Sequence, residues 1–302
     1  MLSNKKIICP ENLINIAKKK GTINSAIVNA GEIFPMESVH KAVQHNLINP
    51  IFVGNENEIK KYADKLEWNI SKYKIIDEKE ENKTASIAAK LASEDKVKII
   101  VKGHIHTDVL MKAVLKRDLN LIGKKRLSHV WHMTLDKNDK PFINTDGVVN
   151  VMPKLEVKMH ILKNAIDFAS RIGIGKPKVS VLSATEEVLD SMPSSQEANE
   201  LTKRAKEEGL NAEVFGPMAF DNSVSEKAAQ IKGIKNVVAG NTDILLVPNV
   251  ETGNALVKMM IFFMGACAAG VVVGGKVPVV ITSRADDTQA RLASMAAAVV
   301  AL

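Results

Sequence analysis

Between residues 243 and 287 the chain reads DILLVPNVETGNALVKMMIFFMGACAAGVVVGGKVPVVITSRADD, and few folds accommodate such a run. Residues 244–247 form a short apolar strand pattern that stops at Pro248, which lacks the N–H a strand ladder needs. A polar turn follows at residues 249–254, with Gly253 expected to supply an unusual backbone angle. Residues 254–267 then read as a helix that is apolar on nearly every side, a pattern that calls for burial. A β-branched run at 271–273, a Gly274-Gly275 break and a second run at 277–281 come next, and the second run ends in Thr282-Ser283-Arg284. Ala285-Asp286-Asp287 lead into a helical pattern that continues to Leu302. Short buried strands that end in polar clusters and hand over to helices belong to open α/β sheets, where ligands sit beyond the carboxyl ends of the strands.

The Ser-Arg-Ala-Asp-Asp cluster has the chemistry of an anion site. A helix starting near Ala285 would present free N–H groups with partial positive charge. Arg284 adds a permanent cation whose fork suits phosphate or a developing oxyanion, and Ser283 adds a hydroxyl. The same Ser283 and Asp286 also read as an N-terminal cap of the S-x-x-D type, and the two roles are compatible.

At 302 residues the chain suits two domains, each able to bury its own core. Apolar residues make up 46% and charged residues 25%, the balance of a globular protein. The net charge of +7 is scattered and aromatics are only 4%, which argues against nucleic acid as a partner. Two cysteines, Cys9 and Cys267, give no disulfide framework; Cys267 reads as a buried thiol within the apolar helix, and a cytoplasmic location fits. Residues 259–275 carry no charge but are short for a membrane span, broken by glycines and bounded by Lys258 and Lys276, so no membrane role is expected. The Lys-rich start lacks the apolar core of a signal peptide.

Elsewhere short strand patterns (25–29, 50–54, 73–77, 97–102, 126–133, 142–149, 178–183, 212–216) alternate with helical ones, which implies a parallel or mixed sheet. Ser194 to Glu197 and Ser223 to Glu226 read as capping boxes. A joint at residues 149–154 suggests two α/β domains, the first from 1–146 plus 284–302 and the second from 147–283. If the closing helix returns to the first domain, Ser283 and Arg284 lie at the crossover.

Other constellations are weaker. Gly270 to Lys276 imitates a P-loop, but Val277 replaces the required Ser or Thr. His104 and His106, alternating on a strand, with His129 and His132, invite a metal reading; no acidic or Cys ligands cluster with them in sequence, and no metal site is expected. Ser183 and Thr185 follow a strand and offer hydroxyls to a ligand or to a local cap. Asn249, Glu251 and Asn254 at the strand–helix turn serve either turn formation or ligand binding, and Asp287 lies beside Asp286 in the anion cluster.

Several stretches together resemble the phosphate acetyl/butyryltransferase family, the butyryltransferase branch most closely: DVLMKAVLKRD (108–118), DGVVNVMPKLEVK (146–158), AGNTDILLVPNVETGNALVK (239–258) and AGVVVGGKVPVVITSRADD (269–287). The resemblance runs from about residue 97 to the end. It implies a reversible transfer of a short-chain acyl group, butyryl or acetyl, between coenzyme A and inorganic phosphate. It also implies two α/β domains of the isocitrate/isopropylmalate dehydrogenase type with an inter-domain cleft, a homodimer, and no cofactor other than coenzyme A as a substrate. Ser283, Arg284 and Asp286 are then the expected catalytic residues, with Ser183, Thr185, Asn249, Glu251, Asn254 and Asp287 expected to bind substrate. The acetyltransferase branch carries an Asp base shortly beyond its Ser-Arg pair; here the sixth residue after Arg284 is Ala290. The base therefore falls to Asp286, Asp287 or the substrate phosphate, and a non-catalytic sensor of coenzyme A or acyl phosphate is the alternative reading. A dehydrogenase of the same superfamily would need a carboxylate metal set and a nicotinamide site, and the sequence displays neither.

Overall fold

The structure is a computed structural model, and it describes residues 2–123, 125–136, 140–282 and 286–302. In chain order it begins with α1 (Glu11–Lys18), β1 (Ile23–Val28), α2 (Ile33–Gln44), β2 (Ile48–Gly54), α3 (Glu56–Lys65), β3 (Ile75–Asp77), α4 (Glu81–Ser93), β4 (Ile99–Lys102) and α5 (Thr107–Val114). Then come β5 (Ser128–Thr134), β6 (Phe142–Thr145), α6 (Leu155–Arg171), β7 (Lys178–Leu182), α7 (Pro193–Glu207), β8 (Glu213–Met218), α8 (Phe220–Val224), α9 (Glu226–Ile231), β9 (Ile244–Leu246) and α10 (Val250–Met264). The chain closes with β10 (Cys267–Val273), β11 (Val279–Val280) and α11 (Thr288–Val300).

These elements form two compact α/β units, one built mainly from residues 4–125 and 265–302, the other from 126–134 and 140–264. In the first unit the strand order is β3-β2-β1-β4-β11-β10, parallel except for β10, which runs antiparallel to β11. In the second the order is β5-β6-β9-β7-β8, parallel except for β5. The division at 146/147 and 283/284 drawn from sequence differs at both edges. Strand pairing is the reason: β6 pairs with β9 and so belongs to the second unit, while β11 pairs with β4 and so belongs to the first.

Parallel strands covered on both faces need continuous apolar runs. Ala26, Ile27 and Val28 of β1 and Ile99 and Ile100 of β4 are fully buried accordingly. The closing helix α11 returns to the first unit, where it packs on β10, α1 and α2. Its small side chains let three neighbours approach at once: Ala293, Ala296, Ala297 and Ala298 have no exposed surface. A larger residue such as Leu at 297 would overpack the site, at a cost of about 1–3 kcal/mol.

Several local expectations change. Cys267 opens β10 rather than lying in a helix, because α10 ends at Met264 and Gly265 turns the chain with φ +69°. Gly253 sits in the first turn of α10 and is needed for closeness, not for an unusual angle: a Cβ there would lie 2.9 Å from Gly147 Cα. Helix α7 starts at Pro193, so Ser194 lies inside it; Ser194 turns its hydroxyl to Ser183 and Glu197 pairs with Lys158 instead of closing a capping box. Ser225, not Ser223, caps α9 by accepting from Ala228 N. Helix α11 begins at Thr288 with Asp287 as its cap, so the Ser283–Asp286 cap does not start it. Helix α10 is not wrapped by its own chain: Phe262 and Phe263 are 46% and 57% exposed.

Candidate active site

Each unit has one place where successive connections leave the sheet in opposite directions, and such a switch point opens a crevice at the strand ends. In the first unit it lies between β1, which leads on to β2, and β4 on the other side of β1. The segment after β1 begins with Asn29 in the left-handed region (φ +52°) and runs on to Glu32. The segment after β4 is Gly103-His104-Ile105-His106. Gly103 is required here, since a Cβ would come within 2.4 Å of Asn29 O and 2.5 Å of Val28 O. Gly103 N donates to Val28 O and His104 N to Asn29 O, which ties the two segments together. Across the crevice His104 Nδ1 stands 2.9 Å from Glu32 Oε1.

Beside β4, β11 runs into Thr282. Ser283 and Arg284 lie outside the described residues, but what brackets them is clear. Arg291, on the first turns of α11 and only 6% exposed, donates from Nη1 to Thr282 Oγ1 (2.8 Å) and from Nε to Asp286 O (3.2 Å). One buried guanidinium therefore bonds both Thr282 and Asp286, the described residues on either side of 283–285. Burial pulls the Arg291 pKa down, and the negative charges of Asp286 and Glu32 act against that loss of charge. Lys102, the buried last residue of β4, lines one small cavity together with Gly103, Thr282 and Arg291. Two buried cations, Lys102 and Arg291, thus lie near the carboxylates of Asp286 and Glu32, in surroundings where charge interactions are stronger than in water.

In the second unit the switch point lies between β7 and β9. Ser183, the residue after β7, is buried; its hydroxyl meets Ser194 Oγ at 3.0 Å and Met192 Sδ at 3.3 Å. Asn249, shortly after β9, caps α10 by accepting from Thr252 N (2.9 Å) and Thr252 Oγ1 (2.7 Å). Asn254 donates to Gly147 O (3.3 Å), Thr185 accepts from Glu187 N (3.1 Å), and Glu251 is exposed. Asp287 accepts from Gln289 N at 2.7 Å. Of the second-unit residues proposed from sequence, Ser183 and Asn249 thus flank the switch point, Thr185 and Asn249 also serve their local turns, and Asn254 ties α10 to the distant Gly147.

His104 and His106 lie beyond β4 rather than on it, and they turn to different carboxylates, His104 to Glu32 and His106 to Glu81. Among the described residues no group of three or more His, Cys, Asp or Glu side chains is placed to hold a metal ion. Among the same residues no helix is long and apolar enough to cross a membrane. Sequence reasoning passed over Glu32, Lys102 and Arg291. Arg291 left a signal, since it is a lone charge in an otherwise small, apolar helix; Glu32 left none.

Residues 79–299 match the family model described as phosphate acetyl/butaryl transferase. A phosphate acetyltransferase of Rhizobium meliloti is 37% identical over 289 residues, covering 95% of this chain and 92% of that protein. A phosphate butyryltransferase of Clostridium acetobutylicum is 34% identical, covering 95% of each chain. The crystal structure of a branched-chain phosphotransacylase from Enterococcus faecalis V583 superposes with a TM-score of 0.82 at 32% identity, covering 93% of this chain and 99% of that one. With a matching model over most of its length and relatives aligned nearly end to end, the chain belongs to the phosphate acetyl/butyryltransferase family.

Proposed function

We propose that this protein moves a short-chain acyl group, butyryl or acetyl, between coenzyme A and inorganic phosphate. The observation that carries the reading is the clamp of Arg291 on Thr282 and Asp286, which brackets Ser283 and Arg284 at the end of β11. In the direction of acyl-CoA synthesis, the thiol of coenzyme A gives up its proton and the thiolate attacks the carbonyl carbon of the acyl phosphate. The carbonyl π electrons move to oxygen, and the tetrahedral oxyanion then expels phosphate. Arg284 supplies fixed positive charge to the oxyanion or the departing phosphate, and Ser283 donates a hydrogen bond beside it. In the scheme read from sequence, Asp286 takes the thiol proton. Ser183 and Asn249 are proposed to contact the substrate from the second unit's switch point. The transfer as written uses no metal and no prosthetic group. The relatives reported above are named as enzymes, which favours catalysis over a sensing role.

The exposed apolar side chains of α10, Met259, Phe262, Phe263 and Met264, support a homodimer in which this face is covered by a second copy. A cytoplasmic setting is part of the proposal and agrees with two buried, unpaired thiols, Cys9 and Cys267. The test is an assay of phosphate-dependent release of free coenzyme A from acetyl-, propionyl-, butyryl- and branched acyl-CoAs. Release with at least one of them, abolished when phosphate is omitted, is expected. No release with any acyl-CoA overturns the reading.

A further inference from the structure

We infer that His104, oriented by Glu32, is the general base that takes the proton of the coenzyme A thiol, in place of Asp286. The inference rests on the acyltransferase reading and concerns a step that the sequence left without a clear acceptor. The Glu32 carboxylate accepts from His104 Nδ1–H, with 2.9 Å between the atoms. A neutral imidazole held in this way carries its lone pair on Nε2, the tautomer a base requires. The His104 side chain is 43% exposed, so an incoming ligand can reach the ring. The pair spans the switch-point crevice, Glu32 from the segment after β1 and His104 from the segment after β4. Hydrogen bonds from Gly103 N and His104 N to the β1 segment fix that placement.

The dyad lies in the same unit as Thr282 and Asp286, the described residues on either side of 283–285. Glu32 acts electrostatically on Arg291, and Arg291 holds Thr282 and Asp286. Charged groups described near the dyad include Lys102 at the end of β4, Glu81 and His106 on the α4 and α5 side, Glu37 with Lys41 on α2, and Asp286 and Arg291 from the α11 side. Among them and Glu32, it is the Glu32 carboxylate that is bonded to His104. Moving a proton from a thiol to an ordinary imidazole is uphill by about two pH units, and to an ordinary aspartate by more than four. In the step proposed, the S–H bond breaks, its proton goes to His104 Nε2, the sulfur lone pair forms the S–C bond, and the C–O bond to phosphate breaks. The His104 proton then passes to solvent or to the departing phosphate. An exposed His–Glu ion pair with no part in the reaction is the plain alternative, and such pairs contribute little to stability.

The experiment measures kcat and KM in the direction acyl phosphate plus coenzyme A, from pH 6 to 9.5, for the wild type and for His104→Asn, Glu32→Gln and Asp286→Asn. His104→Asn can keep a hydrogen bond to Glu32 while removing the base. It is expected to lose about 10²-fold or more in kcat at pH 6.5. The loss should shrink toward pH 9, where a free thiol near pKa 8.5 ionises unaided. KM for coenzyme A should stay within a few-fold, and added imidazole should restore part of the rate to His104→Ala. Glu32→Gln should show a smaller loss with the same pH dependence. A His104→Asn enzyme with unchanged kcat, or with a pH-independent loss that appears mainly in KM, overturns the inference alone. A pH-dependent loss in Asp286→Asn but not in His104→Asn returns the role to Asp286. A wild type that transfers no acyl group overturns the acyltransferase reading and this inference with it.

Discussion

Arg291 Nη1 donates to Thr282 Oγ1 at 2.8 Å while Nε of the same guanidinium donates to Asp286 O at 3.2 Å. The two acceptors are the described residues on either side of 283–285, and one buried side chain ties them together. Arg291→Lys can copy the charge but not the two-armed fork. It is expected to lower kcat at least tenfold with the circular dichroism spectrum unchanged. Thr282→Val removes one acceptor from a buried cation, and should cost about 1.5–3 kcal/mol in denaturant unfolding. Steady-state kinetics with native-like spectra check the first expectation, and urea midpoints check the second.

Arg284 is predicted to act on charge that grows during the reaction rather than on ground-state binding. Arg284→Ala should therefore cut kcat by about 10²-fold or more. Arg284→Lys should recover little, because a point charge does not reproduce bidentate contact. A rise in KM with kcat intact would make Arg284 a binding residue instead.

Two buried histidines of β5 make the fold acid-sensitive. His129 and His132 are 0% and 4% exposed, and burial pushes their pKa values down to about 3 and about 4. Among the described residues neither ring nitrogen of His129 has a hydrogen-bond partner. Above the ordinary imidazole pKa of about 6.5 both are neutral, folded or unfolded, and they do not affect the pH dependence. Below it the unfolded chain takes up protons that the folded chain refuses. Stability is then lost by about 1.4 kcal/mol per pH unit for each histidine, down toward pH 4. Asp146, whose carboxyl burial pushes up, binds a proton more readily when folded and offsets part of this at the lower end. Urea midpoints between pH 7.5 and 5 should fall accordingly, and His132→Asn should flatten the slope.

The exposed apolar side of α10 leads to a prediction about assembly. Light scattering at micromolar concentration should give twice the chain mass. Phe263→Glu should shift the population toward monomer, since a carboxylate buried at an apolar contact is costly. A wild-type chain that stays monomeric removes the dimer from the proposal.

The sequence carried the order of elements, because buried parallel strands must be apolar throughout and therefore stand out: the runs at 244–247 and 97–102 read as strands from their residues alone, and β9 and β4 lie within them. It also offered a Ser-Arg pair after a strand as a candidate anion site, and Ser283 and Arg284 lie outside the described residues. It misplaced the start of the closing helix, because Ser283 and Asp287 both have the chemistry of a cap and only the observed Asp287 to Gln289 N bond separates them. It put Cys267 in a helix, because an apolar run of Ala, Cys and Gly has no period that tells helix from strand. The unit boundaries were out of reach for a further reason: β6 pairs with β9 and β11 with β4 across about 100 and 180 residues, and pairing over such separations leaves no local trace. The same holds at the site. Nothing near Glu32 in sequence announces His104, which is 72 positions away, and nothing near Thr282 requires Arg291 to turn back toward it. Residue types and their local period are fixed by the chain itself, whereas which charge meets which is decided only when the strands line up and bring their ends into one crevice.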